Sequence, residues 1–187
     1  MATKFTYILF NKPYNVLSQF TGEEGQKTLA DFNLPKEIYV AGRLDKDSEG
    51  LLLLTNDGDL IHRLLEPKFS HSRTYWVQVE GKITKEALEK LKKGVVIQGY
   101  RTKPCLARLL GNDSSVPDRI PPIRFRKNIP TSWIELTLTE GKNRQVRRMT
   151  ANIGYPTLRL VRVALGKPRL ENLIPGEWKK INRDLIF

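Results

Sequence analysis

The sequence predicts an α+β fold: a mixed, largely antiparallel sheet flanked by helices, in one domain of one or two lobes. Three observations predict it. Apolar and polar residues alternate in TYWVQVEG (74–81) and WIELTLTEG (133–141), the pattern of half-buried strands, and TYILF (6–10) reads as a further strand. Short helical stretches with their own caps lie between them, at spacings closer to hairpins than to repeated crossovers. The 187 residues, 40% of them hydrophobic, suffice for one domain with a proper core.

The elements follow in order. TYILF is a strand, and NKPYN turns after it. KTLADF (27–32) is a short helical piece. EIYVAGRL (37–44) reads as a strand entering an acidic cluster. LLLLTN (51–56) is a strand buried on both faces, because its apolar run is continuous. Asn56 or Asp57 caps a helix that stops at Pro67. In 74–81, Tyr75, Val77 and Val79 share one face and Trp76, Gln78 and Glu80 the other. Thr84 caps KEALEKLKK and Gly94 ends it. VVIQG (95–99) and TKPCLARLL (102–110) are further strands. Residues 111–132 carry four prolines and form an extended surface segment or lobe connection. NRQVRRMTANI (143–153) is a helix stopped by Gly154 and Pro156, and LRLVRV (158–163) is the last clear strand.

Charge narrows the partners. Lys and Arg total 32 against 20 acidic residues, a net charge of +12. That balance favours a polyanion, nucleic acid before membrane. No apolar run approaches the roughly 18 residues of a spanning helix, and the N-terminus has no signal-peptide layout. One cysteine, Cys105, forbids an internal disulfide and fits a cytoplasmic protein. With only His62 and His71 beside it, no metal site is expected. His62 falls in the first helix, in a packing or surface role.

GRLDKDSEGLLLLTNDG (42–58) sets the functional question: Asp45, Asp47 and Glu49 fall within five positions of a basic chain, and four leucines follow. A charged turn is one reading. A calcium loop would place Asp45, Asp47, Glu49 and Gly50 at its positions 1, 3, 5 and 6, but Asn56 stands where the closing glutamate belongs. A carboxylate pair for glycosidic hydrolysis would need wider separation than Asp45 and Asp47 allow. A single nucleophilic aspartate is the fourth: Arg43 and Lys46 keep Asp45 ionised, and the leucine strand anchors its loop. Asp47 and Glu49 then act as local partners that shape the loop.

Further along, Arg144, Arg147 and Arg148 recur at helical spacing, with Lys142 before them and Arg159 and Arg162 on the next strand. Together they read as a continuous phosphate-binding surface. Arg124, Arg126 and Lys127 in the proline-rich segment are further RNA contacts or a solubilising cluster.

The motif 42–58 resembles the active-site motif of the RsuA-like pseudouridine synthases. NKP (11–13), RTYWVQVEG (73–81), EGKNRQVRRM (140–149) and LRLVRVALG (158–166) are similar to further family motifs. The resemblance runs from about residue 6 to about residue 178. It implies a single catalytic domain over 1–187, without the small N-terminal RNA-binding module of many relatives. It makes Asp45 the nucleophile, Tyr75 the active-site aromatic, Arg147 the arginine that pairs with the aspartate, and Arg43 a loop support or aid to base displacement. Arg73 stands where lysine is common, with the charge kept. PPIRFRKNIPTSW (121–133) is similar to a branch that modifies large-subunit (23S) ribosomal RNA. The implied reaction turns a uridine into pseudouridine with no cofactor and no metal, by a monomer acting on ribosomal RNA in the cytoplasm. The carboxylate attacks the anomeric carbon or removes a neighbouring proton. A non-catalytic ribosome assembly factor and a synthase for 16S RNA are the alternatives.

Overall fold

A computed structural model describes residues 5–111, 118–123 and 129–186. The strands are β1 (Tyr7–Lys12), β2 (Tyr39–Val40), β3 (Glu49–Thr55), β4 (Arg73–Glu80), β5 (Val96–Ile97), β6 (Tyr100–Arg101), β7 (Leu106–Leu109), β8 (Thr131–Leu138), β9 (Thr157–Leu165) and β10 (Trp178–Lys180). The helices are α1 (Gly58–Leu65), α2 (Lys85–Lys92) and α3 (Gln145–Asn152). The chain divides into two compact units, Met1–His71 with Arg162–Phe187, and Ser72–Val161.

In the first unit, β1 lies between β10 and β3, antiparallel to both. The two-residue β2 adds to β3 through Tyr39 opposite Thr55. All four leucines of 51–54 are fully buried. The pleat sends Leu51 and Leu53 to one side, where they join Tyr7, Leu9, Leu60 and Leu64. Leu52 and Leu54 are buried on the other side, so β3 has no solvent face. Each such leucine contributes roughly 1.5–3 kcal/mol. Asp57 caps α1, its carboxylate accepting from Leu60 N at 3.0 Å. The same carboxylate takes the Tyr7 hydroxyl at 2.8 Å, which ties the cap to β1.

In the second unit, β4 pairs with β8 along its length, from Arg73 opposite Leu138 to Glu80 opposite Thr131. β7 covers the other edge of β8. Val77, Val79, Ile134 and Leu136 are buried together with Leu88 and Leu91 of α2 and Met149 of α3. Thr84 caps α2 by accepting from Ala87 N. Cys105 is buried, its thiol donating to Leu91 O at 3.2 Å. Burial pushes that thiol up to about 11, so it is an inert core group.

Three local expectations change. The predicted strand over 37–44 is only Tyr39–Val40. Arg144 is not part of the α3 helix but precedes it, with left-handed backbone at φ 50°. The strand β10 follows what the sequence offers as the last one. Among the described residues no helix is long and apolar enough to cross a membrane.

Candidate active site

Asp45 sits in the loop between β2 and β3 of the first unit, half-buried between exposed Arg43 and Lys46. Its two neighbours are held by segment 12–18. Ser18 Oγ donates to Leu44 O at 2.7 Å and accepts from Leu44 N at 3.1 Å, so one hydroxyl satisfies both backbone groups of the preceding residue. The carbonyl of the following residue, Lys46, accepts from Asn15 N at 2.9 Å and lies 3.4 Å from Lys12 Nζ. Ser48 N donates to Asp45 O at 3.0 Å and closes a tight turn. At about 1 kcal/mol net for each bond, the loop is held in one conformation before any substrate arrives.

Lys12 lies within the field of the acidic cluster. It is fully buried and donates to Pro13 O at 2.9 Å and Val16 O at 2.8 Å. Burial pushes its ammonium down to about 7, against the pull of Glu49, Asp47 and Asp45, while Arg162 lowers it further. The three carboxylates of this stretch act on a buried lysine whose charged form burial still disfavours. Among the described residues no group of three His, Cys, Asp or Glu side chains is arranged to hold a metal ion.

Arg162 closes the ends of the same loop. Its Nε donates to Leu51 O at 2.8 Å and its Nη2 to Gly42 O at 3.1 Å. Its backbone runs so close to Gly50 that a Cβ there would meet Arg162 O at 2.3 Å, and Gly50 has φ +101°. Only glycine fits this point. The expectation that Arg159 and Arg162 extend an exposed phosphate-binding surface is therefore corrected. Both are buried. Arg162 serves backbone carbonyls, and Arg159 lies 5.9 Å from the centre of the Trp133 ring.

The second unit carries the other expected residues. Tyr75 is half-buried on β4, opposite Leu136, and packs at the margin of the Val77–Val79 core. Trp76 faces the other way and donates to Glu135 at 2.9 Å. Arg147 and Arg148 are half-buried on α3, while Lys142 and Arg144 are exposed before it. Gln145 anchors the turn, accepting from Lys142 N at 2.9 Å and donating to Glu140. Glu140 also takes the Tyr100 hydroxyl and Lys103 N. Lys142 Nζ stands 5.2 Å from the centre of the Tyr100 ring, and Arg148 donates to Gln98 and Asn143. The basic turn is thus fastened to the β5–β6 hairpin. Arg124, Arg126 and Lys127 lie outside the described residues.

The sequence reading missed Ser18 and Asn15 as loop holders and assigned Arg162 to RNA. Lys12 lay in a quoted motif, NKP, whose burial was its only further signal.

A family model described as RNA pseudouridylate synthase matches residues 6–152. The chain belongs to this family. It is 56% identical over 175 residues to ribosomal large subunit pseudouridine synthase E of Vibrio vulnificus, covering 94% of this chain and 74% of that protein. It is 52% identical to the protein of the same name from Xanthomonas campestris, covering 92% and 93% of the two chains. A crystal structure titled as a pseudouridylate synthase superposes with a TM-score of 0.78 at 28% identity, over 98% of this chain and 73% of that one. The α+β fold and the pseudouridine synthase activity expected from the motifs agree with these findings.

Proposed function

We propose that this synthase isomerises a specific uridine of large-subunit (23S) ribosomal RNA, with Asp45 as the nucleophile. The relatives named for that substrate, at 52–56% identity over nearly the whole chain, support the substrate class. The observation that carries the residue assignment is the loop itself. Both neighbours of Asp45 are pinned by a separate segment, through Ser18 and through Lys12 and Asn15. A carboxylate that must meet a reacting sugar needs that fixed approach.

In this reading the target leaves its stack, at a cost of roughly a few kcal/mol. The Asp45 carboxylate acts on the ribose. The bond from C1′ to N1 breaks, the uracil turns, and a bond from C1′ to C5 forms. The C5 hydrogen passes to solvent and N1 takes a proton. Nothing is oxidised, so the reaction needs no cofactor. Tyr75 stacks on the base, Arg147 orients the carboxylate, and Arg43 helps displace the base. Lys142, Arg144 and Arg148 hold flanking phosphates. The enzyme works as a monomer in the cytoplasm.

The test compares 23S RNA from cells expressing the wild-type chain with RNA from cells expressing only Asp45→Asn, mapped by pseudouridine-specific adducts and primer extension. One stop lost from 23S RNA is the expected result. An unchanged 23S pattern with a stop lost from 16S RNA overturns the substrate, and no lost stop at all supports a binding-only assembly factor.

A further inference from the structure

Beside Arg43, in the first unit, the surface opens into a groove of about 470 Å³ lined by Phe20, Tyr39, Val40, Arg43 and Leu65. Its walls are apolar and exposed. Phe20 is 37% exposed, Tyr39 66% and Leu65 48%, so three large apolar side chains meet water around one concavity. Exposed apolar groups gathered in this way mark a binding surface. Among the described residues no acidic side chain lines the groove, and Arg43 supplies a cation at its rim.

The backbone builds this concavity deliberately. Gly42 has φ +93°, and a Cβ there would come within 3.3 Å of Leu65 Cδ2. Its carbonyl is held by Arg162. Ser18, which pins Leu44, also borders the groove. The same contacts that fix Asp45 therefore fix this wall. Arg43 and Asp45 are two residues apart, so their Cα atoms lie within about 7 Å.

We propose that this groove is a binding site for an unpaired nucleobase of the substrate RNA, the one next to the target uridine. The inference rests on the reading of Asp45 as the centre of reaction. Flat aromatic rings and a guanidinium are the side chains on which splayed bases stack, and every base has a face to offer. Arg43 at the rim, with no carboxylate beside it in the lining, favours an RNA strand over an apolar peptide as the occupant. When a uridine is turned out of its stack toward Asp45, its neighbour loses a stacking partner, and a ring of the groove that Arg43 joins to the Asp45 loop replaces it. Tyr39 and Phe20 are then specificity-determining residues that hold the strand without touching the reacting atoms.

The experiment measures turnover and binding on a 23S RNA fragment containing the modified site, and on fragments with a single abasic nucleotide at each flanking position. Tyr39→Ala and Phe20→Ala raise KM by roughly five- to a hundredfold with kcat little changed, because stacking holds ground and transition states alike. Tyr39→Trp restores the wild-type KM, which a merely structural role for the hydroxyl or for packing would not allow. One abasic position weakens the wild type by a similar factor and does not weaken Tyr39→Ala further. Additive losses at every position, or a Tyr39→Ala variant with unchanged KM, overturn the proposal and leave the groove to a protein partner. Binding measured in the Asp45→Asn background separates this outcome from a failure of the catalytic reading. If Asp45→Asn still turns over, it is the nucleophile assignment that falls.

Discussion

Lys12 and Arg162 in the first unit can be set against Lys142 and Arg148 in the second. On the sequence all four are basic residues in a chain of net charge +12. In the structure Lys12 and Arg162 are buried and spend their N–H groups on backbone carbonyls at 2.8–3.4 Å. Lys142 is exposed and Arg148 half-buried, over an aromatic ring and amide side chains. The first pair fixes the loop that carries Asp45. The second pair faces outward, where phosphates can reach it. A count of positive charge therefore overstates the RNA-binding surface, because part of it is internal scaffolding.

The largest break in this comparison comes from Lys12→Ala. It removes the donor to the Pro13 and Val16 carbonyls and leaves a cavity at a fully buried site. We expect a loss on the order of 2–5 kcal/mol, read from the urea midpoint. Ser18→Ala comes next. It leaves both backbone groups of Leu44 buried without their partner, at a cost of about 1–3 kcal/mol. In folded Ser18→Ala protein kcat falls more than KM changes, and Ser18→Thr recovers part of it.

A pH series sharpens the same point. Burial lowers the Lys12 ammonium to about 7 in the folded chain, while in the unfolded chain it keeps the ordinary value of 10.5. Between those values the unfolded state binds more protons, so this group makes stability rise with pH from about 7 to 10.5. The midpoint of wild type relative to that of Lys12→Met should rise over that window and stay flat below it. The smallest effect on stability belongs to Lys142→Ala. Its unfolding midpoint stays at the wild-type value, and the salt dependence of RNA binding loses somewhat less than one unit of slope.

Much of the frame was legible because it is local. The leucine run of β3 announces a strand buried on both faces, and Asp57 and Thr84 mark helix starts by residue type alone. What was not legible depends on distant partners. β10 is three residues, WKK, and exists because Ile8, Leu9 and Phe10 pair with it across the chain. The strand predicted over 37–44 ends at Val40, since Leu44 bonds to Ser18 instead of a neighbouring strand. Arg144 leaves the helix because the turn is closed by Gln145 on Lys142 N. Arg162 alternates with apolar residues as a surface arginine would, and only its bonds to Leu51 and Gly42, over a hundred positions away, reveal an internal role. The motif named Asp45; the reason its loop is rigid lay in residues 12–18 and 162.

The central claim is that a carboxylate held in that loop performs the isomerisation. The most direct measurement uses 23S RNA carrying tritium at uridine C5, which is lost to solvent only when C5 joins the ribose. Wild-type protein should release one equivalent of label per RNA. Asp45→Asn should bind the same RNA with similar affinity and release none. Release by Asp45→Asn at the wild-type rate would contradict the account.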